Sequence, residues 1–354
     1  MANIDLENLI RDNIRTLVPY SSARDEFKGS GAILLDANES PFNTPYNRYP
    51  DPLQKELKVK ISSTFGVPDD SIFLGNGSDE AIDLLIRAFC TPGTDNIICL
   101  DPSYGMYEVC ANINDVTCIK VLLNDDFSLN SDLVLSSVNT RTKVIFLCSP
   151  NNPTSNLLDS NKILHIIETF KGLVIVDEAY IDFSGSEGFL KYLKLHTNLV
   201  VLRTFSKAWS LAGVRLGMAF ADRVVISVLN KIKYPYNVNI LTQNYVMKYL
   251  KEGPDINKWI MEILKEKKVL LKELPEFGFI KKIHSSDANF LLVAADKPME
   301  IYMFLRDRGL VVRDRSRVSL CEGCLRITVG TAEENRELLK LLSDYEKDIS
   351  RNKS

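Results

Sequence analysis

Three short apolar runs in the middle of this chain each end in a polar cluster, and segments with helical spacing separate them. Val144 to Leu147 runs into Ser149-Pro150-Asn151-Asn152-Pro153-Thr154, Leu173 to Val176 into Asp177-Glu178-Ala179-Tyr180, and Leu199 to Leu202 into a turn holding Thr204, Ser206 and Lys207. Runs of this length read as buried strands. Strand and helix alternate from about residue 70 to 230. That alternation predicts an α/β fold, a mostly parallel sheet covered by helices on both faces. In open sheets of this kind ligands bind outside the carboxyl ends of the strands, so Asn152, Asp177 and Lys207 are expected to share one crevice.

A lysine at such a strand tip loses hydration, its pKa falls, and the neutral amine becomes a nucleophile able to form a Schiff base with a carbonyl. Arg215 lies between Gly213 and Gly217, where backbone can approach a bound anion closely. Further upstream, the predicted strand Ser71 to Leu74 leads through Gly75-Asn76-Gly77-Ser78-Asp79-Glu80 into an apolar helix. Two glycines free the backbone, Ser78 can cap, and the helix N-terminus is a natural phosphate site. A lysine for an aldehyde and an arginine for a phosphate suit pyridoxal phosphate. Tyr104, just past the predicted strand Ile97 to Leu100, can lie flat against a planar ring. Tyr49 stands on an irregular loop rich in Pro and Asn. Taken singly, each signal has a plainer reading: a solvated lysine, a surface arginine, an ordinary helix cap, a core tyrosine, a tyrosine packed on prolines. The convergence of strand tips is what favours the chemical one.

Composition narrows the field. At 354 residues the chain exceeds the size of most single cores, so two domains are expected. We read residues 1–30 as an N-terminal helix (4–17) and arm, 31–235 as the large α/β domain, and 236–354 as connecting helices and a small α+β domain. The small domain has predicted strands near 289–294, 310–313 and 325–329 and helices at 299–308 and 332–348. Arg313 and Arg326 sit at its strands, where guanidinium groups form surface ion pairs or clamp an anionic substrate. A net charge of −3 gives no support to nucleic-acid or membrane-surface binding. The first residues carry acids and lack the apolar core of a signal peptide, and no run approaches a membrane span, so a cytoplasmic location is expected. Seven scattered cysteines read as reduced thiols. Cys321-Glu-Gly-Cys324 has no second pair or nearby histidine and reads as a turn between strands, no metal site is expected, and His165, His196 and His284 receive no role.

SPNNPT (149–154), VDEAY (176–180), TFSKAWSLAGVRLG (204–217) and LRITVGT (325–331), in this order, resemble the fold type I pyridoxal phosphate aminotransferases. YNRYPDP (46–52), PYNVN (235–239) and the PYSSARDE arm (19–26) are similar to the branch of that family acting on histidinol phosphate. The resemblance spans about Tyr20 to Thr331. It implies that Lys207 holds the cofactor and shuttles the substrate's α-proton, that Asp177 pairs with the pyridine nitrogen, and that Asn152 and Tyr180 bond the ring oxygen. Tyr104 would stack on the ring, and Ser78, Asp79, Thr204, Ser206 and Arg215 would hold the phosphate, with Tyr49 entering from the second subunit of a homodimer. Tyr20, Tyr49, Asn239, Arg313 and Arg326 would receive the substrate. The implied reaction is transamination of L-histidinol phosphate with 2-oxoglutarate, giving imidazole-acetol phosphate and L-glutamate in L-histidine biosynthesis. An aromatic amino-acid aminotransferase or a threonine-phosphate decarboxylase of the same fold is the alternative. A cofactor-sensing regulator would need a basic DNA-binding region, and the residues ahead of the arm are not basic. Ser155 departs from the glycine that usually follows SPNNPT; at positive φ it costs roughly 1 kcal/mol.

Overall fold

The computed structural model describes residues 4–19 and 33–351. Its large sheet has seven strands: β1 (Ile72–Asn76), β2 (Asn96–Asp101), β3 (Thr117–Leu122), β4 (Thr142–Cys148), β5 (Leu173–Asp177), β6 (Leu199–Thr204) and β7 (Leu216–Phe220). Their order is β1-β7-β6-β5-β4-β2-β3, with only β7 antiparallel to its neighbours. Side-chain alternation explains why the central runs are apolar throughout. In β5, Val174 and Val176 join one core while Leu173 and Ile175 join the other, and β6 divides likewise into Leu199 and Val201 against Val200 and Leu202. Both faces are therefore buried, as a parallel sheet between helical layers requires.

Helix α1 (Lys55–Phe65) precedes β1, helices α2 (Ser78–Phe89), α3 (Met106–Ile113), α4 (Ser131–Ser136) and α5 (Ser160–Thr169) lie between strands, and α6 (Arg223–Ile232), α7 (Ile240–Glu252) and α8 (Ile256–Glu273) follow β7. A second, antiparallel sheet combines β8 (Ile280–Ile283), β9 (Phe290–Ala295), β10 (Arg313–Asp314) and β11 (Cys324–Thr328) in the order β10-β11-β9-β8. Helices α9 (Pro298–Arg306) and α10 (Ala332–Arg351) pack on it through a core of their own. A fourth cluster joins the two sheets, with Tyr180, Phe183 and Ala208 meeting Ile260, Ala288 and Phe290.

Local differences from expectation have tertiary causes. The helix expected over 4–17 is broken into a turn at Glu7–Leu9 and a short helix at Asp12–Arg15. Its apolar period survives, since Leu6, Ile10 and Ile14 are buried, but Arg11 N–H donates to Ala88 C=O at the end of α2 rather than within a helix. Ile33-Leu34-Leu35-Asp36, an apolar run that reads as a brief strand, forms none, and Ile33 and Leu35 are exposed. Residues 189–196, whose apolar spacing reads as a helix feeding β6, form only one turn at Leu190–Tyr192, because Phe189 N–H is captured by the buried Glu178 carboxylate. β7 and β8 were not foreseen as strands. Cys321 and Cys324 close a turn between β10 and β11, with Cys324 N–H donating to Cys321 C=O at 3.0 Å.

Candidate active site

Register brings the three strand tips to one level. Cys148 pairs with Asp177, and Asp177 with Leu202, so the chain leaving β4, β5 and β6 opens at the same edge of the sheet. There Asn152, Asp177, Thr204 and Lys207 line one cleft of about 100 Å³. Ser78, Asp79, Tyr104, Tyr180, Ser206 and Arg215 line it too.

One wall is the start of α2. Gly77 at φ 79° is the residue before the helix, so Ser78 becomes its first residue and its hydroxyl caps nothing. This differs from the cap expected of Ser78, and the reason is backbone: only glycine reaches that φ without strain. The first-turn N–H groups of Ser78 and Asp79 have no intrahelical acceptor and carry the positive end of the helix dipole. β7 passes close behind, and a Cβ on Gly217 would lie 2.1 Å from Ser78 N. Arg215, itself left-handed at φ 58°, accepts Gly77 N–H on its carbonyl at 2.9 Å and brings its guanidinium 3.8 Å from Asp79. Thr204 Oγ1 accepts Ser206 N–H at 3.1 Å and fixes the turn before Lys207.

Lys207 Nζ stands 5.2 Å from the centre of the Tyr180 ring and is open to the cleft. Its surroundings are dense enough that lost hydration lowers its pKa below the usual lysine value, and Arg326 lowers it further. Tyr104 donates its hydroxyl to Asp79 at 3.0 Å, and burial together with that carboxylate raises the phenol's pKa. Asn152 is buried, and its Oδ1 accepts from Arg326 Nη1 at 2.6 Å, so the second sheet reaches into the cleft.

Asp177 is the most informative group. Only 3% of it is exposed, and among the described residues no cation lies within ion-pair distance. Burial pushes its carboxyl pKa up, partly offset by the Tyr107 hydroxyl at 2.7 Å and by Ala179 N–H at 3.1 Å. A buried carboxylate held in place without a counter-ion calls for a cationic group from a ligand. Tyr107 was missed in the sequence; its position three residues after Tyr104, on the same side of the turn entering α3, was the available signal.

The remaining expected site residues lie elsewhere. Tyr49 is half-exposed and stacks on Tyr236 with ring centres 4.4 Å apart, away from this cleft. Asn239 is not among the cleft's lining residues, and its side chain caps α7 by accepting Thr242 N–H at 2.9 Å. Arg313 is exposed and lies opposite Arg326 in the β10–β11 ladder. Tyr20 lies outside the described residues.

The model of one protein family, aminotransferase class I and II, matches residues 32–342. This chain belongs to that family. It is 55% identical to a histidinol-phosphate aminotransferase of Parabacteroides distasonis, over 96% of this chain and 99% of that one. Identity to the protein of the same name in Cytophaga hutchinsonii is 50%, again over 96% and 99%. Among solved structures, the histidinol-phosphate aminotransferase of Clostridium acetobutylicum superposes with a TM-score of 0.79 at 25% identity, covering 86% of this chain and 92% of that one. The fold type I architecture of this aminotransferase follows, and its cofactor is pyridoxal 5′-phosphate. The cleft fits that group: an uncompensated buried carboxylate for the pyridine nitrogen, a helix N-terminus and Arg215 for the phosphate, and the Lys207 amine for the aldehyde.

Proposed function

We propose that this aminotransferase transfers the amino group of L-histidinol phosphate to 2-oxoglutarate, yielding imidazole-acetol phosphate and L-glutamate, as a step of L-histidine biosynthesis in the cytoplasm. The observation that carries the substrate is the pairing of Arg313 with Arg326 across β10 and β11: among the described residues neither has a carboxylate partner, and Arg326 extends to Asn152 inside the cleft. The name shared by the relatives supports the same substrate.

Bound in the cleft, pyridoxal phosphate supplies an electrophilic carbon for amines and a ring that takes up an electron pair. The chain's own residues do the rest. Lys207 Nζ would take the proton from the substrate's α-carbon and deliver it to C4′ of the cofactor, a role its lowered pKa suits. Asp177 holds a proton at the pyridine nitrogen, and Asn152 and Tyr180 bond the ring's 3-oxygen. Tyr104 covers the ring face, while Ser78, Asp79, Thr204, Ser206 and Arg215 bind the cofactor phosphate. Arg313, Arg326 and Tyr20 bind the substrate's anionic end, with Asn239 beside them. Tyr49 serves the neighbouring subunit of a homodimer, a reading supported by its exposure and by the exposed Phe42 and Tyr46 on the same loop.

The test is a half-reaction. Loaded enzyme mixed separately with L-histidinol phosphate, histidinol, phenylalanine, tyrosine and phosphothreonine should lose its visible absorbance fastest with histidinol phosphate. A higher specificity constant for phenylalanine or tyrosine would make it an aromatic aminotransferase, and release of carbon dioxide from phosphothreonine would make it a decarboxylase. Size-exclusion chromatography with light scattering should give twice the chain mass of 40.0 kDa.

A further inference from the structure

The β10–β11 ribbon carries a third arginine that the motifs did not single out. β10 ends at Asp314, yet the ladder runs one bond further, with Arg315 N–H donating to Cys324 C=O at 2.9 Å. Opposed residues of an antiparallel pair share a face and side chains alternate along a strand, so Arg313, Arg315 and Arg326 belong to one face of this ribbon. It is the face from which Arg326 reaches Asn152. Asp314, between the first two, has its Oδ1 engaged in the turn, accepting from Ser316 N–H at 3.1 Å and Ser316 Oγ at 2.6 Å. Among the described residues, none of the three guanidinium groups has a carboxylate within ion-pair distance. Arg315 Nε is moreover buried with no hydrogen-bond partner. A desolvated donor on a permanently charged fork is costly until an acceptor arrives. Burial, then Arg326 and Arg313, lowers the pKa of Arg315, and Tyr180 of the cleft acts on it in the opposite sense, so all four share one electrostatic neighbourhood.

We propose that Arg315 is the third guanidinium of a phosphate-binding site formed with Arg313 and Arg326, and that it selects a phosphorylated amino donor over a carboxylate one. A carboxylate presents one charge and two oxygens, which one bidentate arginine satisfies. A phosphate monoester dianion presents up to two charges and three terminal oxygens, and uses the additional forks. This rests on the substrate reading above and deepens it.

The test uses full-length, cofactor-loaded wild type, Arg315→Gln and Arg315→Lys. Each is assayed in half-reactions with L-histidinol phosphate and with L-glutamate, and in inhibition of the glutamate half-reaction by inorganic phosphate. For Arg315→Gln, loss of a charge-assisted fork should lower kcat/KM for histidinol phosphate about 10- to 100-fold, through KM, and change glutamate by less than about threefold. The inhibition constant of phosphate should rise in parallel, and Arg315→Lys should recover part of both losses. Thermal midpoints should not fall, because glutamine removes an unpaired buried donor. Equal losses with both donors, no loss with either, or unchanged phosphate inhibition would overturn the proposal. If wild type failed to react with histidinol phosphate while phosphate inhibition still depended on Arg315, the named substrate would be wrong and the phosphate site right.

Discussion

Asp177 and Lys207 are opposite charges in one cleft, each shifted toward its neutral form by lost hydration. Asp177→Asn keeps the shape but cannot hold a proton on the pyridine nitrogen, and should lower the transamination rate ~100-fold or more, about 3 kcal/mol. Denaturant unfolding of the cofactor-free variant should show little loss of stability, whereas full activity would remove Asp177 from the chemistry. Tyr107→Phe deletes a buried bond to that carboxylate and should destabilise by about 1.5–3 kcal/mol, while raising the proton affinity of Asp177 further. Chemical unfolding of the cofactor-free protein checks it. Lys207 makes a pH prediction. Its folded pKa lies below its unfolded value, so the unfolded chain binds more protons between the two, and this group's contribution to stability rises with pH across that interval. Cofactor loading should accelerate over the same range with a midpoint below 10.5, measured by stopped-flow absorbance; a midpoint at or above that value contradicts a desolvated amine. Lys207 and Asp177 were legible in the sequence because each ends an apolar run at a strand tip. For Tyr107 the spacing from Tyr104 was the one local signal, and its partner was not legible, because the bond from its hydroxyl to Asp177 joins residues 70 apart in sequence.

At the scale of elements, the turn after β4 shows what a departure from the family pattern does. Ser155 is left-handed at φ 66°, as the position expected, and it is fully buried. Its hydroxyl, with one proton to donate, lies 2.6 Å from Thr154 C=O and 3.1 Å from Ser285 C=O, its carbonyl accepts Asp287 N–H at 2.8 Å, and Leu157 N–H donates to Asp287 Oδ2 at 2.7 Å. The serine thus ties the Asn152 turn to the segment entering β9. Ser155→Gly relieves roughly 1 kcal/mol of backbone strain and loses a bond of similar worth, so its unfolding free energy should barely move. Ser155→Ala keeps the strain and loses the bond, and should be less stable by about 1 kcal/mol. Equal stability of the alanine and serine proteins in urea would show that the hydroxyl contributes nothing. The positive φ was legible from the family's glycine, but the partner was not, because Ser285 lies 130 residues away. The strands with continuous apolar runs were equally legible. β8, whose IKKI is partly exposed, was not, and the N-terminal helix was over-read because docking on α2 replaced its internal bonds.

Across the whole molecule, single polar contacts join the segments of the second sheet to the turns of the large one: Arg326 to Asn152, Ser155 to Ser285, Asp287 to Leu157, and Ser319 Oγ to Asp101 Oδ2 at 2.8 Å. The α/β class followed from the alternation of patterns along the chain, and so did the meeting of three strand tips. How the second sheet attaches beside them did not, because it depends on single polar contacts between segments far apart in sequence. The central claim is that this cleft exists to hold pyridoxal phosphate on Lys207. Purified protein loaded with pyridoxal phosphate should be yellow, and borohydride should bleach it and leave a pyridoxyl group on one lysine. Peptide mapping by mass spectrometry should place that label on Lys207 and find none in Lys207→Ala, while a label on another lysine, or equal labelling of the alanine variant, would contradict the account.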